Sequence, residues 1–582
     1  MSAAPARAPA VVPAPEPLYI GAASRPWFAT VHMPAKGAAN GVGLVIVPPF
    51  GYEAVCAHRG LRHLAVDAAA AGCVAVRVDL DGTGDSAGDD LDPDRVGRWR
   101  ASINAAADLA RARGADRIVF AGVRLGALLA ASLARSPADV VGLVAIAPVV
   151  SGKRWLREMK ALQGSLGLLP PPEGGAVDES IQEAIGFAIT AETRDALTAI
   201  DLEKLEPAPA VLVIDRDDMP PSEKWIAALR AQGVEVEATQ LPGYVELVMD
   251  PHKAEVPQQI IDATIAFACA RPRLPADAPV PAVATMRAAA LGTITEEPVV
   301  IAGAVHAIVT RPAGRPKKAL VFLNAGCVRR IGPNRLHVQF ARKLAADGTL
   351  VVRADLSGIG DAPAYGDHPE RLVYHDHALA ETAAILSWCR RQGTDDVYVS
   401  GLCSGGYYAL HSAAAGQPWT GLIVINPGEP GSGIDDKPYE AAAETARYKQ
   451  SIRSMESWKK LLRGQVDVGH LARMLRKRVT GLLGAQAKDA VRRIGIKLDD
   501  DLGTELMQLA RRRVATTFLF CDREPGLPLF RERTGSTAPR LESRGLLWLR
   551  IIDGPDHTYT PRWSHAVLER EVAAALARKA RR

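Results

Sequence analysis

Residues 396–408, DVYVSGLCSGGYY, run from a short apolar strand (Val397, Tyr398, Val399) through a glycine-flanked turn into a stretch rich in Ala and Leu with helical character. In a strand–turn–helix elbow of the form G-x-nucleophile-x-G, the two glycines let the backbones approach closely, so the central side chain stands exposed on a strained turn. Gly401 and Gly405 bracket Cys403 in this way. Centring the motif on Ser404 would put Leu402 where the first small residue is required, so the pattern reads as a cysteine nucleophile. The competing reading makes Cys403 one more buried small hydrophobe, the usual fate of a free cysteine.

The chain around this turn is 582 residues long, too long for one core, and fits two or more domains. Its hydrophobic content of 48% is that of a globular protein. No apolar run reaches the roughly 18 residues that suggest a membrane span. The first 16 residues, MSAAPARAPAVVPAPE, are Ala/Pro-rich without a continuous apolar stretch and read as a disordered tail and not a signal peptide, so the expected compartment is the cytoplasm. Seven cysteines (56, 73, 269, 327, 389, 403 and 521) stand singly, with no metal-ligand spacing, and are expected as reduced thiols. A net charge of +5 gives nucleic-acid binding no support, and nothing in the chain calls for a cofactor.

Working outward from the elbow, one pattern is written twice. Two extended segments (Leu18–Ala22 and Trp27–Met33) precede a buried strand, Val42–Val47, that ends in PPFGYE. A helix then leads to the strand Cys73–Val78 and the turn DLDGTGDS, and a second helix (Trp99–Arg113) to Arg117–Phe120 and AGVRLGALLA. After residue 290 the order recurs: Val299–Ile301, Val305–Thr310, Ala319–Leu323, NAGCVRR, DLSGIGD and SGLCSGG. Asp355 lies 276 residues beyond Asp79, and Gly401 lies 279 beyond Gly122, so the register slips by only three residues. This is an internal duplication of alternating strands and helices, which implies parallel sheets. The expected layout is a tail over 1–16, a first domain over 17–270, a Pro-rich linker over 271–290 and a second domain over 291–582.

The paired elbows, the DxxGxGD turns and a late histidine make both halves resemble α/β-hydrolase domains, a resemblance that spans nearly the whole chain. The second half, with LNAGCVRRIGPNR, DLSGIGD, GLCSGG and GPDHTYTP, resembles one of the hydrolases associated with exosortase A systems of bacterial exopolysaccharide gene sets. The first half, with VPPFGYE, DLDGTGDS, GVRLGALLA and DPHKAEVP, resembles its companion. The resemblance implies a triad in the order nucleophile, acid, histidine. Glu524, just before Pro525 in CDREPG, is the first choice for the acid, with Asp522 close behind, and His557 in DGPDHTYTP fills the histidine position. It further implies oxyanion donors from the backbone N–H of Ser404 and of the loop near Gly326 and Cys327.

In the first half the same alignment puts Arg124 at the nucleophile position and Glu246 at the histidine's, and keeps only Asp218 in the acid slot. An arginine stays protonated and has no nucleophilic role. The half is expected to perform no covalent catalysis. Arg124, with Glu246 or Asp218, forms either an anion-binding site or a buried ion pair in a degenerate scaffold. His252 in DPHK has no nucleophile of its own half to activate.

A thiolate exchanges readily with thioesters, and GLCSGG resembles the cysteine-containing lipase-like box of polyhydroxyalkanoate synthases, which transfer acyl groups. The expected reaction is acyl transfer or thioester/ester hydrolysis on a small-molecule or carrier-bound acyl substrate, and the competing class is a non-catalytic scaffold. Cys327 is close enough to the elbow in the pattern to be considered a redox partner of Cys403. A basic helical insertion, about 428–513 and including Arg447, Lys449, Lys459, Lys460 and Arg476, is expected as a cap over the site.

Overall fold

The computed structural model describes residues 12–133, 139–172, 178, 180–205, 208–273, 282–428 and 501–579. Among these residues the strands form two sheets of nine and a separate hairpin, Gln182–Ala184 with Phe187–Ile189. Six strands of the first sheet run parallel in the spatial order Glu235–Leu241, Ala210–Arg216, Val140–Ile146, Arg117–Val123, Val42–Val47, Val74–Val78. Trp27–His32, Glu16–Ile20 and Thr285–Met286 continue it antiparallel. The second sheet repeats this arrangement: Leu547–Ile552, Ala515–Cys521, Gly421–Pro427, Val397–Cys403, Lys318–Phe322 and Thr349–Asp355 are parallel. Val305–Pro312, Ile294–Ile301 and Ala289–Leu291 then run antiparallel. The central strands are largely apolar and almost wholly buried, as parallel strands covered by helices on both faces must be. The chain therefore has the α/β-hydrolase fold, built twice.

Three expectations shift in detail. The first extended segment is Glu16–Ile20, and the helix read as Trp99–Arg113 runs from Arg95 to Ala112. The second part of the stretch read as a linker is not featureless: Thr285–Met286 pairs with Tyr19 and Ile20, and Ala289–Leu291 opens the second sheet. The edge of Glu16–Ile20 presents unpaired backbone groups, and the passing chain satisfies them. Of the expected cap, residues 429–500 lie outside the described residues; the helix Leu502–Arg511, its first turn capped by Asp501 on Thr504, is what the structure describes of it.

The two halves meet through the duplicated DxxGxGD turns. Arg77 bonds Asp361 at 2.8 Å, and Arg353 bonds Asp85. Arg353 lies 276 residues after Arg77, and Asp361 lies 276 after Asp85, so the two pairs are one contact made in both directions. That reciprocity is the signature of an isologous interface. Arg330 joins Asp85, Asp355 and Asp361 at 2.9, 2.8 and 2.9 Å. Arg335 caps the first half's turn by donating to the carbonyls of Gly84, Ser86 and Gly88 at 2.8, 2.6 and 2.9 Å.

Candidate active site

Cys403 ends the strand Val397–Cys403 and precedes the helix Ser404–Ala414, with φ 56° and ψ −121°. That left-handed backbone is sterically costly for a side chain bearing a Cβ and marks a strained turn. The flanking glycines are what make it buildable. A Cβ on Gly401 would fall 2.1 Å from the Gly405 carbonyl carbon, and one on Gly405 would fall 2.7 Å from the Asn324 oxygen. Cys403 is only partly buried, whereas Ser404 is 1% exposed and its hydroxyl is occupied by the loop behind it.

His557 follows the strand Leu547–Ile552 and reaches the elbow from the neighbouring edge of the sheet. Its Nδ1 lies 2.8 Å from Glu524 Oε2, and the Cys403 side chain is close enough to act on the ring. Burial alone would push the imidazole pKa down, but Cys403 and Glu524 outweigh it and hold the ring well above the ordinary histidine value. Asn426 fixes the arrangement from behind, donating to the His557 carbonyl at 2.8 Å and accepting from the Cys521 N–H at 2.9 Å. Glu524 is buried, 4% exposed. Asp522, the other acid considered, is exposed and accepts from the Gly554 N–H at 3.0 Å, so it braces the turn leading to His557 and does not face the ring.

The loop after Lys318–Phe322 does not offer its donors freely. Gly326 N–H donates to Ser404 Oγ at 2.8 Å, and Cys327 N–H donates to Nδ1 of His252, a residue of the first half, at 3.3 Å. The expected pair of loop oxyanion donors is thus already engaged here, one by the residue after the nucleophile and one by the other half. The Cys327 thiol faces the Arg371 carbonyl at 3.6 Å, and burial pushes it up to about 12. Tyr374 also borders the elbow: a Cβ on Gly428 would lie 2.5 Å from its hydroxyl and 3.2 Å from Cys403 Sγ. Tyr374 sits on a long loop in no recognisable motif, so sequence reasoning had nothing to find it by.

The first half keeps the elbow and fills it. Arg124 has φ 53° and ψ −116°, nearly the backbone of Cys403. Its guanidinium bonds Glu53 at 3.3 Å and also pairs with Glu158, and it lies 5.8 Å from the centre of the Tyr244 ring. The expected partners are elsewhere: Asp218 is exposed and pairs with Arg216 at 2.5 Å, and Glu246 is exposed on a short helix. Arg124 is 7% exposed, and its guanidinium meets carboxylates on the first turn of the helix Tyr52–Ala70 and on the helix Gly152–Ser165. Among the described residues no group of three or more His, Cys, Asp or Glu could hold a metal ion.

No family model and no curated protein matches the chain. Among solved structures it is similar to the esterase Est1E from Butyrivibrio proteoclasticus bound to ferulic acid, with 19% identity and a TM-score of 0.32, covering 43% of this chain and 96% of that one. A putative hydrolase from Agrobacterium vitis S4 gives 18% identity and a TM-score of 0.30, covering 44% of this chain and 97% of that one. Proline iminopeptidase of Mycobacterium smegmatis gives 15% identity and a TM-score of 0.30 over 44% and 97%. What the chain itself displays is the fold, in two copies, one with a cysteine at the elbow and one with an arginine.

Proposed function

We propose that the second half is a cysteine-nucleophile enzyme that forms an acyl-enzyme on Cys403 and passes the acyl group to water or to an alcohol or amine acceptor. The observation that carries this reading is the His557–Glu524 pair, 2.8 Å apart, with a histidine ring that responds to Cys403 on its strained turn. The thiolate attacks the carbonyl carbon of an ester or thioester, and the C=O electron pair moves onto oxygen. As the tetrahedral intermediate collapses, the bond to the leaving group breaks and the His557 imidazolium protonates that group. His557, now neutral, takes a proton from the incoming water or acceptor, which displaces the Cys403 thiolate. Glu524 holds the ring in the tautomer and orientation these transfers require. Ser404 is the first residue of its helix, so its backbone N–H has no partner within the helix and is available to the oxyanion, favoured by the helix N-terminus.

The first half is read as non-catalytic, because Arg124 stands where a nucleophile would and is satisfied by Glu53 and Glu158. A place in exopolysaccharide or acyl-conjugate synthesis follows from sequence resemblance alone. The rival reading, a scaffold without catalysis, draws on the engaged N–H groups of Gly326 and Cys327. Turnover of a panel of acyl thioesters and activated esters separates the two. The enzyme reading expects C403A and H557A each to fall to the background rate; a variant as active as the parent would remove the residue from the mechanism.

A further inference from the structure

The loop that walls the Cys403 elbow is held from outside its own half. His252 accepts the Cys327 N–H on Nδ1 at 3.3 Å. The contact is built and not incidental. Gly326 has φ 56°, and a Cβ there would fall 2.0 Å from His252 Cε1 and 2.6 Å from Nε2, so the glycine makes room for the ring. The segment bearing His252 is anchored as well: its N–H donates to Asp250 Oδ1 at 3.0 Å, and Arg371 of the second half donates to the carbonyls of His252 and Ala254 at 3.1 and 2.6 Å. Directly beside this contact, Ser404 Oγ accepts the Gly326 N–H, which ties the loop to the residue after the nucleophile.

Resting on the acyl-enzyme reading above, we propose that His252 is a positioning residue for the second-half site, supplied by the first half. By accepting the Cys327 N–H it fixes the loop over 325–327, and through the Gly326 N–H on Ser404 Oγ it steadies Ser404, the residue whose backbone N–H is open to the acyl oxygen. Ser404 ties this stretch to the elbow and His252 ties it to the first half, so removing His252 loosens it on the side away from the elbow. A misplacement of about 1 Å at a reacting centre costs on the order of 10²-fold in rate. His252 does not touch Cys403, His557 or Glu524 in any of the contacts described, so its effect belongs to steps in which an oxyanion forms. The degenerate half thereby serves as a fixed part of the wall of the second half's site.

The test compares two reactions of the same thiol in the full chain. Acyl transfer from a thioester passes through a tetrahedral oxyanion. Alkylation by iodoacetamide is a direct displacement, in which the S–C bond forms as iodide leaves, and no oxyanion is made. We expect H252A to lower thioester turnover roughly tenfold to a hundredfold, with the loss in kcat and KM nearly unchanged, while the rate of Cys403 alkylation stays at the parent's. H252N, whose amide oxygen replaces the Nδ1 acceptor, should restore most of the turnover. Unchanged turnover in H252A would overturn the assignment, as would a loss shared equally by acyl transfer and alkylation, which marks a merely structural role. A parent that alkylates at Cys403 but never acylates there would instead sink the acyl-enzyme reading, and the positioning role with it.

Discussion

Burial pushes the thiols of Cys327, Cys389 and Cys521 up to about 12, which keeps them protonated and slow at neutral pH. Cys403 is partly exposed and acts on an imidazole whose pKa is held well above the ordinary histidine value. Iodoacetamide should therefore modify Cys403 ahead of these three, with Cys269, the exposed thiol, as the competing signal. Replacing Cys269 with Ser removes that signal, and H557A should then slow Cys403 by about tenfold or more. Peptide mapping that finds the buried thiols modified as fast as Cys403 would contradict the account. The two acids separate by the same logic. Glu524 is buried against Nδ1, so E524Q should cost on the order of 10²-fold or more in kcat. Asp522 touches only a backbone N–H, so D522N should leave kcat close to the parent's.

The elbow is the element on which both halves depend. A methyl at Gly401 meets the Gly405 carbonyl carbon at 2.1 Å, and one at Gly122 meets the Ala127 nitrogen at 2.5 Å, so neither turn closes without backbone movement. We expect G401A and G122A each to lower stability by about 2–3 kcal/mol in urea unfolding. A change below the scatter of the measurement in both would mean the elbows are less constrained than their geometry says. This element was legible in the sequence because its cause is local: a glycine two residues either side of one position, after an apolar strand. The duplication was legible for a similar reason, since strand and turn chemistry recur at a nearly fixed offset. Contacts between segments far apart in the chain were not. Nothing in the residues near Arg124 points to Glu53 and Glu158, which are brought to it by two separate helices. Asp218 and Glu246 were chosen by alignment to a triad, and alignment does not report that an arginine outreaches the position it replaces. His252 was visible as a histidine without a nucleophile in its own half; only the packing of the halves gives it a partner.

At the scale of the whole molecule, the duplicated turns have become an interface in which each half contributes the same arginine and the same aspartate. Arg353 and Asp85 are both fully buried, so removing Arg353 leaves the Asp85 charge with Arg330 alone and takes a cation from Glu296 as well. R353M should cost about 3–5 kcal/mol in unfolding free energy. The pH dependence follows from the carboxylates. Burial alone would raise the pKa of Asp85, but Arg330 and Arg353 outweigh it and hold it well below the usual carboxylate range. Asp361 is held down in the same way by Arg77, His58 and Arg330 against its own burial. Because the folded pKa values lie below the unfolded value of about 3.9, the stabilisation is complete above that pH and is lost as pH falls through the folded values. These pairs should make the melting temperature fall steeply as pH drops from about 4 to about 3; a profile level across that range would show that they contribute little. On the proposed reading the shared frame serves to present one reactive thiol for acyl chemistry. Intact-protein mass after incubation with acyl thioesters, run beside C403A and followed by peptide mapping, tests this most directly. The account predicts a single acyl adduct on Cys403 in the parent and none in the variant; an adduct of equal yield in C403A, or none in the parent, would contradict it.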